Sequence, residues 1–502
     1  MFLILFVCFA TTTVGTNAGN ILAVFPVPAY SHHIVFKVYV EALADKCHNL
    51  TIIKPKLFSF ATRSYCGSIT EINADLSVEQ YKELVSNSAT FRKRGVISDT
   101  STVTAYNYLG LINMFKNEFD NNNVRNLLAN NQTFDLIIVE AFADYALVFG
   151  YLYNPTPVIQ IAPGYGLSEN FDTVGAVARH PIFYPNIWRD NFNNDTTANA
   201  LIELRLYKEF KILDDLSSTL LKQQFGPNTP TISELRNKVQ LLLLNLHPIF
   251  DNNRPVPPSV QYLGGGLHLV NKVNKLSPII ESRMNKAKKG TIYTSFGSSI
   301  DTKSFVHEFL HMLIDTFKTL TDYTILWKID DEVIKNVTLP ANIITQNWFN
   351  QRAVLHHKSV KAFITQGGLQ SSEEALEAQV PMVCLPMMGD QFYHSHKLKQ
   401  FKVAHVLNTS DVSAYQLSVA INDVIANASV YKNYINILRT LIDNDKKLFP
   451  PIDKAIKFTE RVIQYRHDIS QHLYTLKSTA ANVPYSEYFM YKSILSIIMN
   501  HF

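Results

Sequence analysis

Residues 348–391 read WFNQRAVLHHKSVKAFITQGGLQSSEEALEAQVPMVCLPMMGDQ. Residues 361–365 alternate into an apolar run closed by Gly367 and Gly368, the pattern of a buried strand that ends in a tight turn. A helix is expected directly afterwards. Ser371 and Ser372 suit its N-cap, Glu373 and Glu374 its first turn, and Ala375, Leu376 and Ala378 continue the helical period. Residues 381–386 read as a second apolar strand, tipped by Gly389, Asp390 and Gln391. A strand that feeds a glycine turn and a helix N-terminus is an anion site, because backbone N–H groups and the helix dipole point at whatever docks there. Phosphate is the expected guest.

Working outward, the same alternation of strand and helix recurs on both sides. Residues 291–295, 324–329 and 343–346 predict strands ahead of this stretch, with a helix over 304–320. Beyond it come a helix over 392–399, a short strand over 404–407 and helices near 412–426, 430–444 and 452–465. In the first half, 20–26 (NILAVFP), 50–53, 134–139 (FDLIIV), 158–161 and 240–246 predict strands. Helical periods fill 34–44, 78–84, 102–129, 145–152, 200–221 and 232–239. Such alternation means doubly wound α/β sheets. The Pro and Gly clusters of 251–267 (DNNRPVPPSVQYLGGGL) suit neither element and mark a linker. The expected division is a first unit over 19–250, a linker over 251–267, a second unit over 268–448 and closing helices over 449–502.

At 502 residues the chain is too long for one core, and 47% apolar with 18% charged residues describes a globular protein. A formal charge of +4 with no basic stripe argues against nucleic acid as a partner. Residues 1–18 read as a secretory signal with an apolar run too short to span a bilayer. Sequons at Asn49, Asn131, Asn194, Asn336, Asn408 and Asn427 suit that route. Removal of the signal takes Cys8 and leaves Cys47 and Cys66, which can pair, and Cys384 in an apolar strand. The last stretch, 485–502, is broken by Glu487, Lys492 and Asn500, so no membrane anchor is expected and the protein is expected to be secreted.

Several residues carry candidate chemistry. Ser31, His32 and His33 sit where the first strand turns into its helix, the edge where open α/β sheets bind ligands. A histidine there serves either as a base near neutral pH or as a surface residue at a helix start. A histidine base needs a carboxylate to hold its tautomer; Glu140 ends the FDLIIV strand, with Asp144 as the fallback, and a strand-end carboxylate also serves as a helix cap. Gly297, Ser298 and Ser299 form a second small-residue turn after a strand. His307-Glu308-Phe309-Leu310-His311 matches HExxH, but no third zinc ligand follows and no metal is expected. His356-His357 and His394 with His396 lack a ligand framework, and Gly164 with Gly166 lacks the third glycine of a dinucleotide site. The loop 163–170 and the aromatic run 181–188 (PIFYPNIW) are candidates for an apolar acceptor wall or for core.

The 348–391 stretch resembles the signature of the UDP-glycosyltransferase family in order and spacing, and the resemblance extends over essentially the whole chain. It implies two facing Rossmann-like domains of the GT-B type with a C-terminal helix crossing back. It also implies donor-binding roles along the stretch. Trp348 stacks the uracil, Gln351 lies by the nucleoside, Glu374 takes the ribose hydroxyls, Ser371 and Ser298 contact phosphate, and Asp390 with Gln391 grip the sugar. Gln366, Gly368 and Gln370 complete the donor-binding turn. Gln366 stands where many members carry a phosphate-binding His, Leu369 where plant members carry Trp, and Gln370 where Asn is common. His32 falls on the family's catalytic base, and Glu140 on a position where relatives carry Asp. QGGLQSSEEA with PMMGDQF is most similar to members that act on ecdysteroids. The implied reaction is inverting transfer of glucose from UDP-glucose to a hydroxyl of a steroid acceptor, with no cofactor beyond that co-substrate. The alternative is a secreted, non-catalytic binder of hormone or sugar on the same fold.

Overall fold

The computed structural model describes residues 18–86, 99–270, 272–471 and 475–501. The expected signal segment lies outside the described residues, apart from Ala18. Seven strands build the first sheet: β1 Asn20–Val24, β2 Asn49–Lys54, β3 Ser68–Asn73, β4 Leu136–Glu140, β5 Val158–Ala162, β6 Val239–Leu244 and β7 Val260–Tyr262. They run in the order β3-β2-β1-β4-β5-β6-β7, with every pairing parallel. The central strands are buried along their whole length, which explains why they read as continuous apolar runs. Six more form the second sheet: β8 Thr291–Ser295, β9 Thr324–Lys328, β10 Ile343–Gln346, β11 Val360–Thr365, β12 Met382–Cys384 and β13 Ala404–Val406. Their order is β10-β9-β8-β11-β12-β13, again parallel throughout.

Each sheet reverses its strand order once, between β1 and β4 in the first and between β8 and β11 in the second. A crevice opens at the carboxyl ends of the two strands that flank such a reversal, because their connections leave in opposite directions. His32 follows β1 and Glu140 ends β4; Gly297 and Gly367 follow β8 and β11. The fold thus aims both reversal points at one cleft, the doubly wound α/β arrangement that the alternation predicts.

The structure corrects several sequence expectations. Residues 251–267 are not all linker, since β7 pairs with β6 and closes the first sheet, so 240–246 is not its last strand. The Pro and Gly clusters lie on either side of those three residues and mask them. β3 has no counterpart among the expected strands, because as an edge strand with a half-exposed face it lacks the apolar run of its neighbours. The single helix expected over 102–129 is two, Ala105–Glu118 and Asn122–Ala129. Asn121 caps the second by accepting from the Asn123 and Val124 N–H groups. The helix after β11 spans Leu369–Glu377 with Gly368 as its N-cap, so Ser371 and Ser372 lie inside its first turns rather than capping it. Gly367, at φ +76°, makes the turn early enough for the helix to begin there.

Helix Pro451–Gln464 crosses back onto the first half. Ala455, Ile456, Val462 and Ile463 join the core under β1 and β2, and Tyr39 Oη lies 2.5 Å from Thr459 Oγ1. The last helix, Tyr491–His501, behaves differently from the packed closing helices expected over 449–502: Ile494, Leu495, Ile497 and Ile498 remain about half exposed. Cys47 and Cys66 form a disulfide, and Cys384 is a buried free thiol. No helix among the described residues is long and apolar enough to cross a membrane.

Candidate active site

From β1 the chain runs through a short extended segment into helix Tyr30–Asp45, which places His32 in the first turn. Glu140 is the last residue of β4 and is fully buried. Its Oε1 lies 2.6 Å from His32 Nδ1, while its Oε2 accepts from the Val27 N–H at 3.1 Å. A carboxylate on Nδ1 makes that nitrogen the donor and leaves Nε2 as the acceptor on the opposite edge of the ring. Val27 and the β4 backbone therefore fix the acid, and the acid fixes the imidazole.

His33 has a different fate. It is buried, its Nε2 meets the Val27 carbonyl at 3.0 Å, and burial lowers its pKa to about 3, so it stays neutral and structural. Asp144, the fallback partner, is occupied elsewhere: Arg236 Nε and Gln160 Nε2 each donate to it at 2.7 Å.

The facing half supplies two glycine turns. Gly297 sits at φ +77°, where an added Cβ would lie 2.2 Å from Gln366 Nε2, and Gly367 at φ +76° would collide with Ser395 Oγ. Gln366 is nearly buried, and its Oε1 accepts from Thr365 Oγ1 at 3.0 Å. That bond turns the amide nitrogen toward Gly297 and Gly368, between the two turns. A side-chain N–H donor thus stands between a helix N-terminus and a nest-like turn, chemistry suited to a diphosphate.

Trp348 is half exposed, with Tyr30 from the other half packed edge-on at 5.0 Å and Lys328 Nζ 5.3 Å from its ring centre. Gln351 donates to Ser371 Oγ at 3.0 Å and to Glu374 Oε2 at 2.9 Å, tying three candidate residues together. Burial raises Glu374 to about 7 against the opposing pull of Gln351 and Arg352. Gln370 reaches across to donate to the Pro163 carbonyl at 3.0 Å, so its amide bridges the halves as well as lining the cleft. Asp390 is raised to about 6 by burial, with His32 opposing the shift from across the cavity. Gln391 uses its Oε1 to accept from the Met387 and Met388 N–H groups, which leaves its NH₂ as a donor.

These residues border two connected cavities. One, of about 490 Å³, is lined by Trp348, Gln351, Glu374 and Ser371; the other, of about 460 Å³, by His32, Asp390 and a largely apolar wall. Ser31, Gly297, Ser298, Gln370 and Ser371 border both. A chamber polar at Gln351, Ser371 and Glu374 and a more apolar chamber therefore meet beside His32.

The apolar wall is where sequence reasoning saw least. Pro163, Gly164, Tyr165 and Leu167 of the expected loop line it, as do Ile187 and Trp188 of the aromatic run, while Ile182 and Phe183 of that run point to solvent. Most of the wall comes instead from helices: Tyr81 of Val78–Ser86, Leu111, Ile112 and Phe115 of Ala105–Glu118, and Phe210 and Leu213 of Thr196–Phe225. The apolar period at 108, 111, 112 and 115 is visible in sequence, but a cavity wall and a core face share that period. Of the other motifs, the His307 and His311 rings lie tilted against each other with centres 4.0 Å apart, and among the described residues no group of three or more His, Cys, Asp or Glu is placed to hold a metal ion. His394 is buried against Tyr165 Oη at 2.8 Å, and His396 stacks on Phe192.

Comparison with known proteins agrees with this geometry. The chain is 75% identical over 493 residues to the ecdysteroid UDP-glucosyltransferase of Autographa californica nuclear polyhedrosis virus, covering 98% of this chain and 97% of that one. It is 61% identical to the protein of the same name from Choristoneura fumiferana defective polyhedrosis virus, covering 95% and 97%. UDP-glucosyltransferase 2 of the insect Dactylopius coccus is 26% identical over 94% of this chain and 89% of its own. Among solved structures, the glycotransferase of kitacinnamycin superposes with a TM-score of 0.58 at 16% identity, over 90% of this chain and 99% of that one. CalG4, the calicheamicin glycosyltransferase, gives 0.52 at 14% identity over 89% and 99%, and both share the GT-B fold. Residues 19–498 match the family model described as UDP-glucoronosyl and UDP-glucosyl transferase, and the chain belongs to that family.

Proposed function

We propose that this protein transfers glucose from UDP-glucose to a hydroxyl of an ecdysteroid in a single inverting displacement. The observation that carries the reading is the His32–Glu140 contact at the junction of the polar and apolar chambers. His32 Nε2 takes the proton of the acceptor hydroxyl while that oxygen attacks the anomeric carbon. The bond from that carbon to the UDP oxygen breaks, and the developing imidazolium is balanced by Glu140. The leaving diphosphate meets the N-terminus of helix Leu369–Glu377, the Gln366 amide and Ser298. Asp390 and Gln391 hold the sugar hydroxyls, Trp348 the uracil, and Gln351 with Glu374 the ribose. Attack from the acceptor chamber opposite the leaving group inverts the anomeric centre.

The acceptor's class is supported by the ecdysteroid names of the relatives at 75% and 61% identity and by the apolar wall around the cavity of about 460 Å³. UDP-glucose alone serves as co-substrate in this scheme. Delivery to the extracellular space after removal of residues 1–18 remains part of the proposal, and N-terminal sequencing of protein recovered from culture medium tests it. The reaction is tested by incubating the protein with labelled UDP-glucose and a panel of ecdysteroids and other steroids. The expected result is a labelled β-glucoside of an ecdysteroid; binding of both ligands with no product would instead favour a non-catalytic carrier.

A further inference from the structure

After β7 the chain passes through Gly264, Gly265 and Gly266, all at positive φ, into a short helical turn, Leu267–Leu269. A Cβ on Gly265 would lie 2.3 Å from Glu373 Oε1, so only glycine lets this turn press against helix Leu369–Glu377. Both ends of the turn are tied. The Leu267 N–H donates to Asn245 Oδ1 at 3.2 Å, and Arg352 donates to the Leu269 carbonyl at 2.8 Å. His268, on this turn, lines the polar chamber with Gln351 and Glu374. Its side chain is 4% exposed, with Nδ1 3.7 Å from Glu373 Oε2 and Nε2 3.9 Å from Glu374 Oε1.

Those separations lie just beyond hydrogen-bond length, within reach of a small ring rotation. Burial lowers His268 to about 3, helped by Arg352 and Lys446 and opposed by the Gln370 backbone, so the ring is neutral and carries one N–H. Burial raises Glu373 to about 8, opposed by Lys446 and the Gly266 backbone. Glu374 at about 7 also feels Gln351, Arg352 and Glu377, and is poised between its two forms near neutral pH. Two ribose hydroxyl donors need an ionised, acceptor-only carboxylate.

We propose that His268 is a positioning residue of the donor site, whose Nε2–H steadies the Glu374 carboxylate in its ionised, ribose-facing form. The inference rests on the placement of the ribose at Glu374. It makes the linker turn part of the nucleotide chamber: the polypeptide that joins the two halves also sets the state of the acid that reads the sugar of the nucleoside.

The test is calorimetric titration of the full chain with UDP between about pH 5.5 and 8.5. Native protein is compared with Glu374→Ala, His268→Leu and His268→Gln. We expect His268→Leu to weaken UDP about tenfold at neutral pH, a coupling typical of a lost charge-assisted hydrogen bond, and to move the acid loss of affinity to higher pH. His268→Gln, which keeps a side-chain donor, should stay within about threefold of native. With 2′,3′-dideoxy-UDP the Leu variant and the native protein should bind alike. Native-like UDP binding by His268→Leu, or equal weakening by Leu and Gln, overturns the assignment. Unchanged UDP binding in Glu374→Ala would instead remove the ribose placement itself. If the Leu variant does not fold, His268→Ala, which also removes the donor, decides, since its acid limb must shift for UDP and not for the dideoxy probe, and an unshifted limb overturns the proposal.

Discussion

His32 Nδ1 lies 2.6 Å from Glu140 Oε1, and the other oxygen of Glu140 is held by the Val27 backbone on the segment that leads to His32 itself. The acid is thus braced against the strand end that delivers its own partner. The glutamate side chain spans from β4 to the first turn of helix Tyr30–Asp45 while keeping both contacts. His32→Ala should lower turnover by about 10²–10⁴-fold, the usual worth of a general base, with UDP affinity unchanged by calorimetry. Glu140→Asp should lose one of the two contacts and reduce kcat by roughly tenfold or more without altering UDP affinity.

Much of this site was legible in the chain because glycine and small residues are confined to few roles. QGGLQSS and SFGSS admit little but turns at strand ends, and continuous apolar runs such as FDLIIV mark central parallel strands. Legibility fails where one pattern serves two ends. Ser371 and Ser372 have good capping chemistry, yet Gly368 caps because the positive φ of Gly367 has already turned the chain. Phe115 and Ile112 obey the helical period of a core face but border a cavity, a distinction set by what packs opposite rather than by their own spacing. β7 is three residues between prolines and glycines, too short for any periodicity to register.

Gly297→Ala is expected to damage donor binding more than folding. The φ of +77° makes any L side chain unfavourable by about 1–2 kcal/mol. The new Cβ would also push aside the Gln366 amide, whose nitrogen sits 2.2 Å from its position. The amide terminates a flexible side chain, so the fold should survive with Tm lowered by a few degrees. UDP affinity should fall at least about tenfold, the equivalent of one misplaced phosphate donor. Native-like affinity measured by calorimetry would separate the Gln366 amide from the diphosphate site.

Glu118 carries a pH signature of its own. It is fully buried at the end of helix Ala105–Glu118, neither carboxyl oxygen has a hydrogen-bond partner among the described residues, and burial raises it from 4.5 to about 8 with Glu140 adding repulsion. A raised acid binds its proton more tightly when folded than when unfolded. Stability is therefore greatest below about pH 4.5 for this group and declines as pH rises toward 8, where the folded state must ionise it. Glu373 acts in the same direction over the same window, and Glu374 and Asp390 over narrower ones. Glu118→Gln removes one titration, so the fall in Tm between about pH 4.5 and 8 should shrink without disappearing. An identical alkaline decline in that variant would show that Glu118 ionises freely.

Leu111→Trp tests whether the helix-built wall is the acceptor's. Leu111 borders the apolar chamber from helix Ala105–Glu118 and is only partly buried, so a larger ring can grow into the cavity of about 460 Å³ without being forced into the core. The polar chamber is lined by none of that helix. UDP affinity and Tm should therefore hold while the KM for an ecdysteroid rises about tenfold or more, the effect of displacing part of an apolar ligand. A smaller hydroxylated acceptor should be affected less, since it needs less of the wall. If both acceptors lose turnover equally while UDP affinity holds, the added indole is disturbing His32 rather than excluding the steroid, because the dyad serves both reactions.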